Sequence, residues 1–196
     1  MLPLLLASAS PRRREMLERV GVALEVRPAD VDEEPRAGEA PDDYVARIAR
    51  DKAHAVARRP GQWVLAADTT VTIDGQILAK AATGDEAAAM LRALSGRTHQ
   101  VITAFAIVGD EVVREGIVST DVAVVPIDDA AIADYVASGE WRGKAGAYAI
   151  QGIAAAFVRS VRGSVTNVIG LPLVEVLDAL RGVGAPGARL AHGIAS

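Results

Sequence analysis

The sequence predicts an α/β fold built on a mixed, twisted β-sheet with flanking helices. Apolar runs of strand length alternate with longer segments whose apolar residues recur at helical spacing. Two long strand-like segments follow each other directly within residues 99–127, which breaks strict βαβ alternation and favours a mixed sheet. The 196 residues, 51% of them hydrophobic, are enough for a single well-buried domain that can have two lobes.

The amino-terminal segment predicts a buried strand followed directly by a helix. Residues 4–7 are an apolar run, Ser10 is a preferred N-cap residue, and Pro11 suits the first helical position. Three consecutive arginines then occupy the first helical turn. The helix dipole is already positive there, so each exposed cation is unfavourable by about 0.3–1 kcal/mol. The sequence therefore raises the question of which group balances these charges.

The next segments predict a strand, a helix and a second buried strand. Residues 22–28 alternate like a strand, and an acidic loop leads through Pro41 to a helix over about residues 42–58. Residues 63–68 are a short apolar run that stops at Asp68. A carboxylate at the end of such a strand lies where α/β folds place ligand crevices, although a turn or cap aspartate fits the local sequence equally well.

A hairpin and a capped helix come next. Asp74 and Gly75 are typical of a type I′ turn between two short strands. Thr83 and Glu86 form a capping box, and Gly96 ends the helix that they begin. Residues 99–127 then predict long strands joined by a turn at Gly109, before a helix that reaches about residue 138.

The last third of the chain predicts short strands, a final helix and a tail. We expect two or three strands around Tyr148 and Phe157, and a helix over about residues 171–180. Residues 181–196 are rich in Gly and Ala and are expected to fray. They contain GVGAPG, but no strand precedes this pattern and too few residues follow it for a dinucleotide-binding βαβ unit.

Composition excludes several classes of protein. The net charge of −4 offers no general attraction to nucleic acid, so a polyanion site must be a local pocket. The absence of cysteine excludes disulfides, thiolate metal sites and cysteine nucleophiles. No stretch approaches the roughly 20 apolar residues of a membrane span. We therefore expect a cytoplasmic protein that binds a small phosphorylated ligand and has no nucleic acid or membrane partner.

The arginine-rich turn is the strongest local indication of a binding site. A helix N-terminus presents unpaired N–H groups, and guanidinium groups with the hydroxyls of Ser8 and Ser10 suit phosphate oxygens. Residues advance by about 100° each along a helix, so three consecutive arginines cannot all face one ligand. Function is favoured for Arg12 and Arg13, and solvent exposure for Arg14. A solvated cationic turn remains an equal alternative on local sequence.

Three further charged residues are individually ambiguous. Glu33 lies in an acidic loop that fits a solvated charge run slightly better, and Lys52 and Lys80 taken singly fit surface lysines. Together with Asp68 they supply two carboxylates and several cations without a histidine or cysteine centre. That combination favours metal-assisted attack of water on a phosphorylated substrate.

An ordered series of segments carries a resemblance to a known family. The chain from Leu4 to about Leu180 resembles the Maf-type nucleoside triphosphate pyrophosphatases in the segments LLLASASPRRREML, YVARIARDKA, AADTTV, ILAK, AAAMLRALSGRTHQVIT, YVASGEWRGKAGAYAIQG and NVIGLPLVEVL. The resemblance implies a mixed α/β fold, similar to that of inosine triphosphatases, with two lobes around a nucleotide-binding cleft. It also implies a homodimer.

The resemblance implies a role for each candidate site residue. Asp68 becomes the acceptor of the proton of the attacking water, and Glu33 a metal contact beside it, with Mg²⁺ or Mn²⁺ as the cation. The phosphate-binding side chains that the resemblance implies are Ser8, Arg13, Lys52 and Lys80. Attack at the α-phosphorus would release a nucleoside monophosphate and pyrophosphate. The bound triphosphate would then balance the arginine-rich turn.

Three positions resemble markers of the branch that acts on dTTP and UTP. They are Arg12, Thr69 and Gln151, where the 7-methyl-GTP branch tends to carry Trp, Gln and Glu. An amide such as that of Gln151 presents a donor and an acceptor, which can match the imide edge of thymine or uracil. Modified pyrimidine triphosphates are further possible substrates.

The chain departs from the family pattern in two places. Ala81 follows Lys80 where the family usually has Pro, which makes this loop less rigid, and the segment SVTNV near Val165 lacks a usual aromatic residue.

The alternative function is a nucleotide-binding regulator of septum formation or cell division in which hydrolysis is incidental. The variant Asp68→Asn separates the two, because only an enzyme's cellular effect depends on turnover.

Overall fold

The computed structural model describes residues 2–187, which form a seven-stranded mixed sheet flanked by helices. The sheet order is β2-β1-β3-β5-β6-β7, and β4 pairs with β3 outside this path. The strands are β1 (Leu4–Leu6), β2 (Leu24–Val26), β3 (Val64–Ile73), β4 (Gln76–Leu78), β5 (Thr98–Val108), β6 (Val113–Val124) and β7 (Val158–Arg162).

Helices lie between these strands and against both faces of the sheet. Their bounds are α1 (Pro11–Arg19), α2 (Pro41–Ala55), α3 (Gly84–Leu94), α4 (Asp129–Ser138), α5 (Val165–Ile169) and α6 (Leu173–Gly182), with a 3₁₀ helix at Ile153–Phe157. Strand β1 runs parallel to β2 and β3, whereas every other pairing is antiparallel. The predicted mixed α/β fold is therefore confirmed.

Local capping signals begin and end these elements as the sequence predicts. Ser10 accepts a hydrogen bond from the N–H of Arg13, and Thr83 accepts one from the N–H of Glu86. Asp74 and Gly75 have φ angles of 52° and 76°, the positive pair that a type I′ turn requires. These features depend on a few neighbouring residues, which is why sequence alone predicts them.

The prediction that a strand ends at Asp68 was wrong, and this residue is a candidate site residue. The run that ends at Asp68 in the sequence continues to Ile73, and Asp68 pairs with Ala104 in the middle of β3. The two threonines that follow Asp68 are β-branched and suit a strand, and β5 supplies a pairing partner along this whole length. Asp68 is therefore a mid-strand residue.

The region around Tyr148 also differs from the prediction. It forms turns and the 3₁₀ helix, and β7 is the strand found there. The sequence prediction also missed helix α5, which Ser164 caps by accepting from the N–H of Asn167. Helix α2 ends at Ala55 rather than at residue 58, and α6 begins at Leu173 because Pro172 precedes it.

Three apolar clusters divide the molecule into two lobes. In the first lobe, one cluster packs α1 and α6 on one face of the sheet, and a second packs α2 on the other face. The third cluster forms the second lobe, in which α3 and α4 cover the far ends of β3, β5 and β6. The long strands β3 and β5 contribute to all three clusters and so hold the lobes together.

The carboxyl-terminal prediction is only partly within the described residues. Helix α6 extends through Arg181 to Gly182, and Ala185 is buried against the first lobe. The remainder of the expected tail, residues 188–196, lies outside the described part. Among residues 2–187, no helix is long and apolar enough to cross a membrane.

Candidate active site

The candidate site lies at a gap along one edge of β3. On that edge β1 pairs with Val64 and Leu65, and β4 pairs with residues from Val71 onward. Residues 66–70 therefore have no strand partner on this side. A cleft of about 320 Å³ opens at the gap and is lined by residues of both lobes.

The structure brings all nine predicted site residues into this one cleft. They come from six separate segments of the chain: Ser8, Arg12, Arg13, Glu33, Lys52, Asp68, Thr69, Lys80 and Gln151. Arg14 is absent from the lining; it is exposed and pairs with Glu18 at 2.7 Å on the surface of α1. The nine residues thus share one cleft, which both lobes line.

Alternation along β3 sends neighbouring site residues to opposite faces of the sheet. Val64 and Ala66 face the α2 cluster, and Leu65 and Ala67 face the α1 cluster. Because successive strand residues point to opposite faces, Asp68 reaches the α2 side and Thr69 reaches the α1 side. Asp68 accordingly contacts Lys52 of α2, and Thr69 contacts Arg13 of α1.

On the α2 side, one ammonium group joins both carboxylates. The Nζ of Lys52 lies 2.7 Å from Oε1 of Glu33 and 2.8 Å from Oδ1 of Asp68. The Lys52 and Asp68 side chains are 9% and 10% exposed. Lys80 reaches the other oxygen of Glu33 at 3.1 Å from a far more exposed position.

The electrostatics of this cluster favour an ionised Glu33 beside a neutral Tyr44. Partial burial raises the pKa of Glu33, but hydrogen bonds from Lys52 and Lys80 outweigh that effect and leave the pKa below its ordinary value. Tyr44, whose hydroxyl donates to the backbone oxygen of Glu33 at 3.0 Å, has its pKa raised to about 12 by burial and by nearby carboxylates. Glu33 is therefore held as a carboxylate facing the cleft.

On the α1 side, four of the five N–H donors of Arg13 are engaged with protein acceptors. Its Nε donates to the carbonyl of Gly170 at 2.7 Å, and its Nη1 donates to the carbonyl of Ala67 at 2.7 Å and to Oγ of Ser8 at 3.1 Å. Its Nη2 donates to Oγ1 of Thr69 at 3.0 Å. Burial lowers the pKa of Arg13. Arg13 thus satisfies the unpaired β3 carbonyl at the gap and retains little donor capacity for a ligand.

The end of α5 balances the arginine-rich turn. The Ile169 carbonyl accepts from Nε of Arg12 at 3.2 Å, next to the Gly170 carbonyl that accepts from Arg13. Carbonyls at a helix C-terminus lack intrahelical partners and favour cations. Protein carbonyls therefore balance part of the positive charge of this turn, and its balance by a bound triphosphate stays a prediction.

Two residues of the cleft were missed by sequence reasoning. Lys144 lines the cleft, and burial followed by the charge of Arg12 lowers its pKa. Tyr148 forms part of the wall, and its hydroxyl lies 2.7 Å from Nε2 of His99. Both belong to the segment EWRGKAGAYAIQG, which could have indicated them as a group because it carries Gln151.

The two departures from the family pattern lie in different places. Lys80 forms an isolated bridge with Ala145, which ties its loop to the Lys144 segment. Ala81, which stands where Pro is usual, is buried in the second lobe. Val165 is 52% exposed and does not line the cleft.

The carboxylate pair fits a divalent cation with substrate oxygens as the other ligands. Both carboxylates lie within hydrogen-bond distance of one nitrogen, and oxygen donors suit Mg²⁺ and Mn²⁺. Within residues 2–187 there is no group of three or more His, Cys, Asp or Glu that could hold a metal. Mg²⁺ is commonly held by one or two carboxylates together with phosphates, so Glu33 and Asp68 suffice for this kind of site.

Comparison with known proteins identifies several similar chains. The dTTP/UTP pyrophosphatase of Anaeromyxobacter dehalogenans (strain 2CP-1 / ATCC BAA-258) is 53% identical over 189 residues, covering 93% of this chain and 95% of that protein. The dTTP/UTP pyrophosphatases of Cereibacter sphaeroides and Myxococcus xanthus are each 50% identical and cover 93% of this chain, and 96% and 93% of their own lengths.

A solved structure and a family profile complete the comparison. The Staphylococcus aureus Ham1 protein aligns with 62% of this chain and 72% of its own, at 18% identity and a TM-score of 0.43, which is too distant to carry an argument. The profile of the Maf-like protein family matches residues 3–183. With that match over nearly the whole chain and relatives at about half identity, the chain belongs to the Maf-like protein family.

Proposed function

We propose that this protein is a nucleoside triphosphate pyrophosphatase that hydrolyses dTTP and UTP to the nucleoside monophosphate and pyrophosphate. The observation that carries the proposal is the convergence of Glu33, Asp68 and Lys52 in a cleft that further cations line. The names of the similar proteins support the same substrates. A modified pyrimidine triphosphate fits the same cleft chemistry.

Asp68 is the proposed proton acceptor. A water oxygen forms a bond to the α-phosphorus, its proton passes to the Asp68 carboxylate, and the bond to the bridging oxygen breaks with its electrons leaving on pyrophosphate. Because Asp68 lies mid-strand between β5 and the cleft, its carboxylate is held by a rigid backbone. This rigidity fixes the direction of attack.

Glu33 and Asp68 are the proposed holders of Mg²⁺ or Mn²⁺. When bound, the cation offsets charge on the triphosphate and on the leaving pyrophosphate. The contact from Lys52 to both carboxylates must then loosen, which would free its ammonium group for a phosphate oxygen.

Lys52 and Lys80 are the proposed phosphate-binding cations, with Ser8 and Arg13 supporting them. Lys80 is exposed and carries one contact, so it can turn toward a ligand at little cost. Arg13 has four of its five N–H groups engaged in the protein, so its contribution is one remaining donor, positive potential and the placement of Ser8.

Base selection is proposed for Gln151, Arg12 and Thr69. Gln151 is exposed at the cleft wall, and its amide has no protein partner among residues 2–187. Thr69 instead bonds with Arg13 and with Oγ1 of Thr103 at 2.9 Å, so it acts by orienting Arg13. The amide of Gln151 matches the acceptor and donor of the thymine or uracil imide edge.

We also propose that the protein is a cytoplasmic homodimer. The assembly is tested by light scattering after size-exclusion chromatography, where a dimer has twice the chain mass of 20.4 kDa. A mass of one chain at all concentrations would refute the dimer.

The function is tested by pyrophosphate release with Mg²⁺ from dTTP, UTP, CTP, dATP, GTP and 7-methyl-GTP. We expect preference for dTTP and UTP, and loss of release in Asp68→Asn. This variant keeps the size of the side chain and removes its basicity. Equal release from all six substrates would refute the base assignment, and full activity of Asp68→Asn would refute the proton acceptor.

A further inference from the structure

The segment that carries Gln151 is a tight turn held from outside the cleft. The N–H of Gly152 donates to the carbonyl of Ala149 at 3.2 Å, and the 3₁₀ helix begins at Ile153. A Cβ atom added at Gly152 would lie 2.1 Å from Oε2 of Glu140. The Glu140 carboxylate therefore packs directly against the backbone of this turn.

Glu140 is anchored by hydrogen bonds to this turn and to α4. Its Oε2 accepts from the N–H of Ile153 at 3.0 Å, and its Oε1 accepts from the hydroxyl of Tyr135 at 3.3 Å. Glu140 thus holds the turn on the carboxyl side of Gln151, and Tyr135 ties the Glu140 carboxylate to α4.

Glu140 holds the turn through hydrogen bonds to its carboxylate and not through an ion pair. Glu140 is half-buried, does not line the cleft, and has no ion-pair partner within 4 Å in the described chain. The backbone carbonyl of Glu140 accepts from Nζ of Lys144, the unpredicted cation of the cleft. One residue therefore connects the end of α4 to two separate positions of the cleft wall.

Base selection by an amide needs such anchoring. Uracil and thymine present an acceptor and a donor where cytosine presents a donor and an acceptor, and an amide that turns over matches either base equally well. Discrimination against cytosine therefore requires that the Gln151 amide be restrained, and because this amide has no protein partner in the described chain, the restraint must come from the backbone of its turn. A free turn would lose discrimination before it lost binding of the phosphates.

We propose that Glu140 is a positioning residue that sets base selectivity by fixing the turn that carries Gln151. This inference rests on the proposed function, since it assumes that Gln151 meets the base. It predicts that removal of the Glu140 carboxylate changes the choice of base and leaves recognition of the triphosphate intact.

The test compares Glu140→Ala, Glu140→Gln, Gln151→Ala and the double variant Glu140→Ala/Gln151→Ala. We measure kcat/KM for dTTP and for CTP, and the inhibition constant of tripolyphosphate, which has no base. Glu140→Ala should lower the dTTP/CTP ratio by about tenfold, the scale of one lost hydrogen-bond match, with the tripolyphosphate constant unchanged. Glu140→Gln keeps an acceptor for Ile153 and should retain most of the ratio.

The double variant distinguishes positioning from a separate effect. If Glu140 acts through Gln151, the double variant has the ratio of Gln151→Ala alone. The proposal would be overturned if the effects of the two single variants on the dTTP/CTP ratio multiply in the double variant. It would also be overturned if Glu140→Ala leaves this ratio unchanged, or if it weakens tripolyphosphate binding to the same extent as it lowers the ratio. Should Glu140→Ala not fold, Tyr135→Phe removes one of the anchors and should shift the ratio in the same direction.

Hydrogen exchange separates failure of this inference from failure of the proposed function. Amides of residues 149–157 should exchange faster in Glu140→Ala than in the unmodified protein, while amides of β3 and β5 keep their protection. Unchanged exchange in residues 149–157 refutes positioning even in an active enzyme. A lack of dTTP preference in the unmodified protein instead refutes the base assignment itself.

Discussion

Replacing Lys52 by Met tests the charge cluster of the cleft most directly. The change leaves Glu33 and Asp68 without the ammonium that lies 2.7 and 2.8 Å from them, in a position where the Asp68 side chain is 10% exposed. Removing one partner of a buried ion pair costs about 3–5 kcal/mol. We take the lower end, about 3 kcal/mol, because Glu33 is 38% exposed and can regain water.

The assay is thermal unfolding followed by circular dichroism. For a chain of this size, 1 kcal/mol corresponds to about 2–4 °C, so the melting temperature of Lys52→Met should fall by about 6–12 °C. The matched control is Lys80→Met, because Lys80 is 59% exposed and contacts Glu33 alone at 3.1 Å. An exposed pair contributes about 0–1 kcal/mol, so this control should shift by less than about 4 °C.

Two results would refute this reasoning. Equal shifts in the two variants would mean that burial does not govern the strength of these contacts, and a stable Lys52→Met would mean that the two carboxylates do not repel each other. Added Mn²⁺ should recover part of the loss in Lys52→Met, because a divalent cation replaces the missing positive charge. Failure to recover would count against Glu33 and Asp68 as the metal site.

Three further predictions concern other parts of the site. Arg13→Lys should lower stability by at least about 3 kcal/mol in denaturant unfolding, since one ammonium cannot reach four separate acceptors. The matched change at the exposed Arg14, Arg14→Lys, should leave the unfolding midpoint unchanged, and equal losses in the two variants would contradict this. Burial lowers the pKa of His99 to about 4, against about 6.5 in the unfolded chain, so the unfolded chain binds more protons between these two pH values. The free energy of unfolding should therefore fall by up to about 3 kcal/mol as the pH drops from about 6.5 to about 4. His99→Gln should flatten this pH dependence, and an unchanged dependence in the variant would exclude His99 as its source. Gln151→Glu should lower the preference for dTTP over 7-methyl-GTP in kcat/KM, because a carboxylate lacks the donor that an amide presents; the same ratio as in the unmodified protein would argue against base reading.

Much of the fold was readable from neighbouring residues. The cap at Ser10, the turn at Asp74 and Gly75, and the helix that Thr83 begins all depend on side chains within about four positions of one another. Helix α5 escaped prediction because its five residues carry too little periodicity to be distinguished from a loop.

The continuation of β3 past Asp68 was decided by pairing. The local pattern of an apolar run that stops at a carboxylate is the same for a strand end and for a strand that continues beside a cleft. The partner residues on β5, such as Ala104 opposite Asp68, are distant in sequence and settle the matter. A carboxylate in mid-strand is stable there because β1 has ended and the Lys52 ammonium group pairs with it at 2.8 Å beside the cleft.

The sequence by itself determined nine residues that meet in the cleft, because an ordered series of family segments named them, but it did not indicate Lys144 or Tyr148. Tertiary structure alone decided what each one does with its hydrogen bonds. Arg13 bonds with carbonyls 54 and 157 residues away, and Lys52 bonds with a carboxylate 16 residues away. No local pattern encodes such contacts, because the acceptors are backbone oxygens and buried strand residues whose position depends on the packing of the whole sheet.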